Sequence, residues 1–124
     1  MKLIIGGAYQ GKRAFAKTAF SLGEEDIFTC HGEEIDFSAP CIDKIEEFTY
    51  SCVKAGKDPV AIFRQHEDEW KDAVLIGTDF SCGLVPMEAE NRLWREENGR
   101  LNNYLAGEAA RVVRMFCGIA QVIK

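Results

Sequence analysis

The segment that most limits what this chain can fold into lies at its start. Residues 2–5 (Lys-Leu-Ile-Ile) form a short apolar run that Gly6 and Gly7 stop. The stretch Gly6-Gly-Ala-Tyr-Gln-Gly11-Lys12 then follows the pattern G-x-x-x-x-G-K. Residues 12–22 read as a helix, with Phe15, Ala19 and Leu22 on one face and Ala16 and Phe20 beside it. A buried strand, a glycine-rich turn and a helix are the setting that a phosphate-binding loop requires. The glycines let backbone N–H groups turn inward as an anion nest. The helix N-terminus adds the positive end of a dipole, and Lys12 brings a mobile charge for terminal phosphates. The competing reading is a plain strand-to-helix turn with Lys12 in solvent.

The rest of the chain continues the alternation. Asp26 to Cys30 reads as a second strand, and the polar residues 31–40, ending in Ala39-Pro40, as a loop. Ile42, Ile45, Phe48 and Cys52 recur at helical spacing up to Gly56. Asp58-Pro59 supplies a cap and a first-turn proline for the next helix. Residues 73–77 (Ala-Val-Leu-Ile-Gly) are continuously apolar, as in a strand buried on both faces. A loop carrying Gly83 follows, then a helix over 87–110 that is expected to break near Asn98-Gly99. Val112 to Cys117 and Ala120 to Ile123 read as two closing strands about Gly118. Strands alternating with helices predict an α/β domain, residues 1–124 in one unit, with a mostly parallel sheet. Ligands of such sheets bind at the carboxyl ends of strands, so the loops after residues 5, 30 and 77 are expected to share one edge.

Composition narrows the function classes. The net charge is −5 with no run of Lys and Arg, which argues against nucleic acid as a partner. The apolar runs are far shorter than a membrane span, and three apolar residues after Lys2 make no signal-peptide core. The five cysteines (Cys30, Cys41, Cys52, Cys82, Cys117) are odd in number and widely spaced, with no CxxC. They read as free thiols in a reducing compartment, so a cytoplasmic location is expected, without a zinc or other metal-ligand set. At 124 residues the chain is near the size where burial becomes comfortable, and self-association into a homo-oligomer is expected to add to it.

A second constellation is more distinctive. Thr78-Asp-Phe-Ser-Cys-Gly-Leu-Val-Pro86 is followed by Arg92-Leu-Trp-Arg95-Glu96, then Gly99 and Asn102-Asn103. It resembles the adenosylcobinamide kinase/adenosylcobinamide-phosphate guanylyltransferase family of cobalamin synthesis. That family shows Asn-Glu-Val-Gly-x-Gly-Ile-Val-Pro, then Arg-x-Phe-Arg-Asp, Gly and Asn-Gln. The resemblance continues through Leu105-Ala106, Val112-Val113 and Gly118 to Lys124, and takes in the N-terminal loop. Residues 31–70 show none and are shorter than in full-length members.

The resemblance implies a small RecA-like, three-layer P-loop domain that uses ATP or GTP to phosphorylate a corrinoid intermediate. Gly6, Gly7, Ala8, Gly11, Lys12 and Arg13 would then contact the nucleotide, and Lys12, Asp79, Arg92 and Arg95 would carry the transfer. Asp79 stands where the family has Glu, and Arg92 and Arg95 stand at its two arginines. Arg13 departs from the pattern. The usual Ser or Thr holds Mg²⁺ through its hydroxyl, whereas a guanidinium cannot ligate a cation. Two readings of Arg13 stand: it pairs with phosphate oxygens, or it points to solvent. The family's guanylylated histidine lies on a helix after the second strand. Here His31 follows that strand directly, His66 comes much later, and residues 32–55 contain no histidine. A kinase without guanylyl transfer is therefore the expected activity. The rival is a nucleotide-binding or corrinoid-pathway accessory domain without catalysis, and a third reading is a phosphate-loop domain unrelated to cobalamin.

Overall fold

The computed structural model describes residues 1–7, 10–79 and 89–124. Its centre is β1 (Lys2–Gly6), whose run of Leu3, Ile4 and Ile5 has no polar face and is enclosed on both sides. Parallel β4 (Val74–Thr78) and parallel β5 (Arg111–Phe116) flank it, with Ile4 opposite Ile76 and Val113. β3 (Cys41–Asp43) pairs with β4, and β2 (Ile27–Thr29) pairs with β3. β6 (Ile119–Val122) returns antiparallel on β5. The six-stranded order is β2-β3-β4-β1-β5-β6, parallel except at β6. All five residues of β4 are buried, as its unbroken apolar run predicts.

Helices cover both faces. α1 (Lys12–Ala19) lies on one, where Ala16 packs with Ile4, Ile76, Val113 and Met115. The opposite face is covered by α2 (Ile45–Ala55), α3 (Pro59–Gln65) and α5 (Ala89–Glu108). Phe48, Phe63, Leu101 and Leu105 from these helices close over Leu3, Leu75 and Val112. Full burial of a side chain of this size contributes about 1.5–3 kcal/mol. The short α4 (Glu67–Trp70) seats Trp70, whose indole N–H donates to the Phe63 carbonyl. This is the α/β sheet with helices on both faces that the sequence predicts. None of the described helices is long and apolar enough to cross a membrane.

Three boundaries differ from the sequence reading. Cys41–Asp43 is a strand, so Ile42 belongs to β3 and not to the helix that starts at Ile45. Its side chain is buried in the same cluster as Ile45 and Phe48, so an apolar period of three continues across a change of structure. α5 runs unbroken through Asn98 and Gly99. Asn98 is 2% exposed and donates to the Thr78 carbonyl, which anchors the helix where a break was expected. α1 ends at Ala19 rather than running on to Leu22. The loop carrying Cys82 and Gly83 lies outside the described residues, as do Ala8 and Tyr9.

Candidate active site

The glycines of the first turn have separate structural reasons. Gly6 ends β1 so close to β5 that a Cβ there would lie 2.6 Å from the Met115 carbonyl oxygen. Gly11 caps α1 in the left-handed region, at φ 81°. A side chain is disfavoured in that conformation. Among the described residues no side chain caps the α1 N-terminus, and its first residues line a cleft of about 350 Å³. The remaining walls are Asp43, Lys44, Glu46 and Glu47, from the β3-to-α2 corner, and Thr78 at the end of β4. The ends of β1, β3 and β4 thus meet at one edge, where a parallel sheet places its ligands.

Lys12 is half-buried, and its ammonium donates to the Gly7 carbonyl at 2.6 Å. Burial lowers its pKa, and the charges of Glu46 and Asp43 partly oppose that shift. Glu46, in the first turn of α2, is the acid the sequence reading did not single out. Its carboxylate accepts the Thr78 N–H at 3.2 Å. Burial raises its pKa, against hydrogen bonds and the nearby Lys12 ammonium. The first turn of α2 is also held from outside, because the Trp94 indole N–H donates to the Glu46 carbonyl at 2.8 Å. Lys44, between Asp43 and α2, sits at φ 57°. That left-handed backbone is uncommon for a non-glycine residue.

Arg13 lines the cleft and, rather than pointing free into solvent, is hydrogen-bonded within the domain. One guanidinium nitrogen donates to Asp43 Oδ2 at 2.8 Å and to Thr29 Oγ1 at 3.1 Å. The other reaches Glu24 at 2.6 Å. Arg13 therefore ties α1 to β2, β3 and the short 3-10 turn Glu24–Asp26. A loop of this pattern ordinarily holds Mg²⁺ between a hydroxyl after the lysine and a nearby Asp. Arg13 offers no lone pair, and Asp43 spends Oδ2 on Arg13 and Oδ1 on the Lys44 N–H at 2.8 Å. These residues do not fit Mg²⁺.

The other sequence-predicted residues divide between two places. Asp79 follows β4, and its N–H donates to the Gly6 carbonyl at 2.9 Å, next to the loop. Arg92 and Arg95 line a different depression along α5, with Leu93, Glu96, Gly99 and Asn103. Asn102 donates to the Thr78 carbonyl at 3.3 Å, beside the bond from Asn98. His31 is exposed after β2, three strand spacings from β1 in the sheet order, or ~14 Å. His66 lies between α3 and α4, stacked on Phe37 and bonded to Glu69. Neither histidine lines the cleft. Burial pushes the thiols of Cys30 and Cys41 up to about 12 and that of Cys52 up to about 11, which makes them poor nucleophiles.

Residues 51–123 match the model of the cobinamide kinase / cobinamide phosphate guanyltransferase family. The chain belongs to this family. No curated protein matches it. The family match runs from the body of α2 to the end of β6, and so covers β4, α5 and the hairpin. It includes residues 51–70, where the motifs alone carried no resemblance. It begins after Lys12, Arg13, Asp43 and Glu46, so the role of this cleft rests on its own geometry. Membership of a cobinamide kinase and guanyltransferase family places the chain in cobalamin biosynthesis and sets aside a phosphate-loop domain unrelated to it.

Proposed function

We propose that the chain, acting as one nucleotide-binding domain, is a cytoplasmic kinase that transfers the terminal phosphate of ATP or GTP to the hydroxyl of a cobinamide. The observation that carries this reading is the convergence of three groups on one cleft. These are the N-terminus of α1, the Lys12 ammonium and the Glu46 carboxylate. Phosphoryl transfer asks mainly for positioning and charge stabilisation. Gly6, Gly7 and Gly11 shape the loop, while the N–H groups after Gly11 and the Lys12 ammonium donate to the phosphate oxygens. Lys12 leaves the Gly7 carbonyl to do so. Glu46 takes the proton of the attacking hydroxyl as the new P–O bond forms and the nucleoside diphosphate departs. A carboxylate whose pKa is raised by burial is a better base than a solvated one. Asp79, beside the loop, orients the reacting groups. Arg92 and Arg95, on their separate depression, serve the acceptor rather than the nucleotide.

Guanylyl transfer is outside this proposal. A covalent nucleotide intermediate needs a nucleophile held in line with the α-phosphate. The positions of His31 and His66 and the raised thiol pKa values support its omission. Incubation with adenosylcobinamide and ATP or GTP, followed by product analysis, tests the kinase. The expected product is the phosphorylated cobinamide, and its absence with both nucleotides would leave the accessory-domain reading. One observation favours that rival: Arg13 is already committed to Asp43 and Glu24.

A further inference from the structure

We infer that Arg13 is the resident cation of this loop and excludes a divalent ion from Asp43. Two groups that could otherwise share a metal, the side chain after the loop lysine and a buried acid at a neighbouring strand end, are bonded to each other at 2.8 Å. The Asp43 side chain is only 7% exposed, and both its oxygens already accept hydrogen bonds. The surroundings are balanced without a metal. Arg13 and Lys17 bring two positive charges, Asp43 and Glu24 two negative ones, and Lys17 pairs with Glu24 to close the set. Thr29, the nearest hydroxyl in this set, accepts from Arg13 as well. A divalent ion entering here would have to displace a guanidinium from a desolvated carboxylate or sit against its positive charge. Mg²⁺ also demands near-octahedral oxygen ligation, which a guanidinium cannot complete.

The consequence, which rests on the proposed nucleotide site, is that the cleft takes a nucleoside triphosphate as the free anion. Arg13 acts here as a positioning residue, holding Asp43 neutralised behind Lys12. Metal binding and nucleotide binding can be read separately. Free Mn²⁺ is followed by electron paramagnetic resonance as it is titrated with the wild-type chain and with Asp43→Asn. The expected result is the same free-Mn²⁺ signal for both. Mn²⁺ sequestered by the wild type but not by Asp43→Asn overturns the inference. Sequestration by both equally places the ion elsewhere and upholds it. Arg13→Ser, if folded by circular dichroism, should gain Mn²⁺ binding that a second change at Asp43 removes. The wild-type comparison decides the matter even where that variant does not fold.

Calorimetric titration of ATP and GTP, in EDTA and in Mg²⁺, forms the second arm. Affinity should not rise in Mg²⁺, because the ion withdraws free nucleotide in solution, whereas a metal-assembled site would gain about tenfold or more through linkage. A gain of that size in the wild type overturns the inference. Failure of both nucleotides to bind in either buffer removes the nucleotide reading, while the Mn²⁺ comparison still decides the place of Arg13.

Discussion

At the scale of single residues, the cleft depends on a few side chains whose roles separate experimentally. Lys12→Ala should weaken nucleotide binding by on the order of 2 kcal/mol, the loss typical of a hydrogen bond to a charged group. Isothermal calorimetry measures this, and unchanged affinity would remove Lys12 from the phosphate site. Glu46 couples function to stability with opposite signs. Its pKa in the folded chain is raised, chiefly by burial, so folding favours the protonated carboxyl. That stabilisation is complete below the ordinary glutamate range and is lost as pH rises through the raised value. Glu46→Gln still accepts the Thr78 N–H and cannot ionise. It should be more stable than the wild type at neutral pH, and the difference should vanish under acidic conditions, as read by urea unfolding at the two pH values. Loss of the base should lower kcat about 10²–10⁴-fold. Lys12 was legible in the sequence because its motif carries its own context. Glu46 was not, because one acid in Glu46-Glu47 looks like the solvated start of a helix until the end of β4 buries it. Arg13 was legible as an anomaly but not in its partner, since Asp43 is thirty positions away.

At the scale of elements, the signals that worked were those with a local cause. Asp58 caps α3 by accepting the Val60 N–H at 3.0 Å and the Ala61 N–H at 3.4 Å, with Pro59 in the first turn. Asp58→Ala should cost about 1 kcal/mol, the usual loss for such a cap, measurable by denaturant unfolding. Gly56 closes α2 in the left-handed region as its position predicts. The errors arose where a tertiary partner overrides local preference. β3 is three residues long, too short for alternation to show, and it exists because β2 and β4 pair on either side of it. Asn98 and Gly99 look like a helix end, yet Asn98 donates into the end of β4 and α5 continues. That contact, with the Trp94 bond to α2, fixes three elements around Thr78. The end of β4 and the first turn of α2 are therefore held by a helix none of whose described residues lines the cleft.

At the scale of the whole molecule, the sheet's two borders differ. β2 at one border is partly covered, whereas every residue of β6 at the other is exposed. Register explains why neither face of β6 is sheltered. Ile119 lies opposite Phe116, and Val122 lies opposite Val113, so exposed apolar side chains stand on both faces of the hairpin. Ile119 is 69% exposed, Phe116 61%, Val122 56% and Ile123 53%. An edge strand also presents a row of backbone groups to any passing strand, a hazard that folds normally blunt with charge, bulges or a covering element. Isolated apolar residues on a surface need no explanation, but a contiguous group along an open edge marks an interaction site. The partner proposed here is a second copy of the chain, since oligomers of one chain are the commonest assemblies and a chain this small gains burial from self-association. Light scattering after size exclusion should give a multiple of the 13.9 kDa chain mass at micromolar concentration. Ile119→Lys together with Val122→Lys puts a charge on each face of the strand and should return the monomer with its circular dichroism spectrum intact. Neither position lines the cleft, so Lys12-dependent nucleotide binding should survive the change. A wild-type chain that elutes as a monomer at these concentrations would show that the hairpin stays open in solution, and the proposed assembly would be wrong.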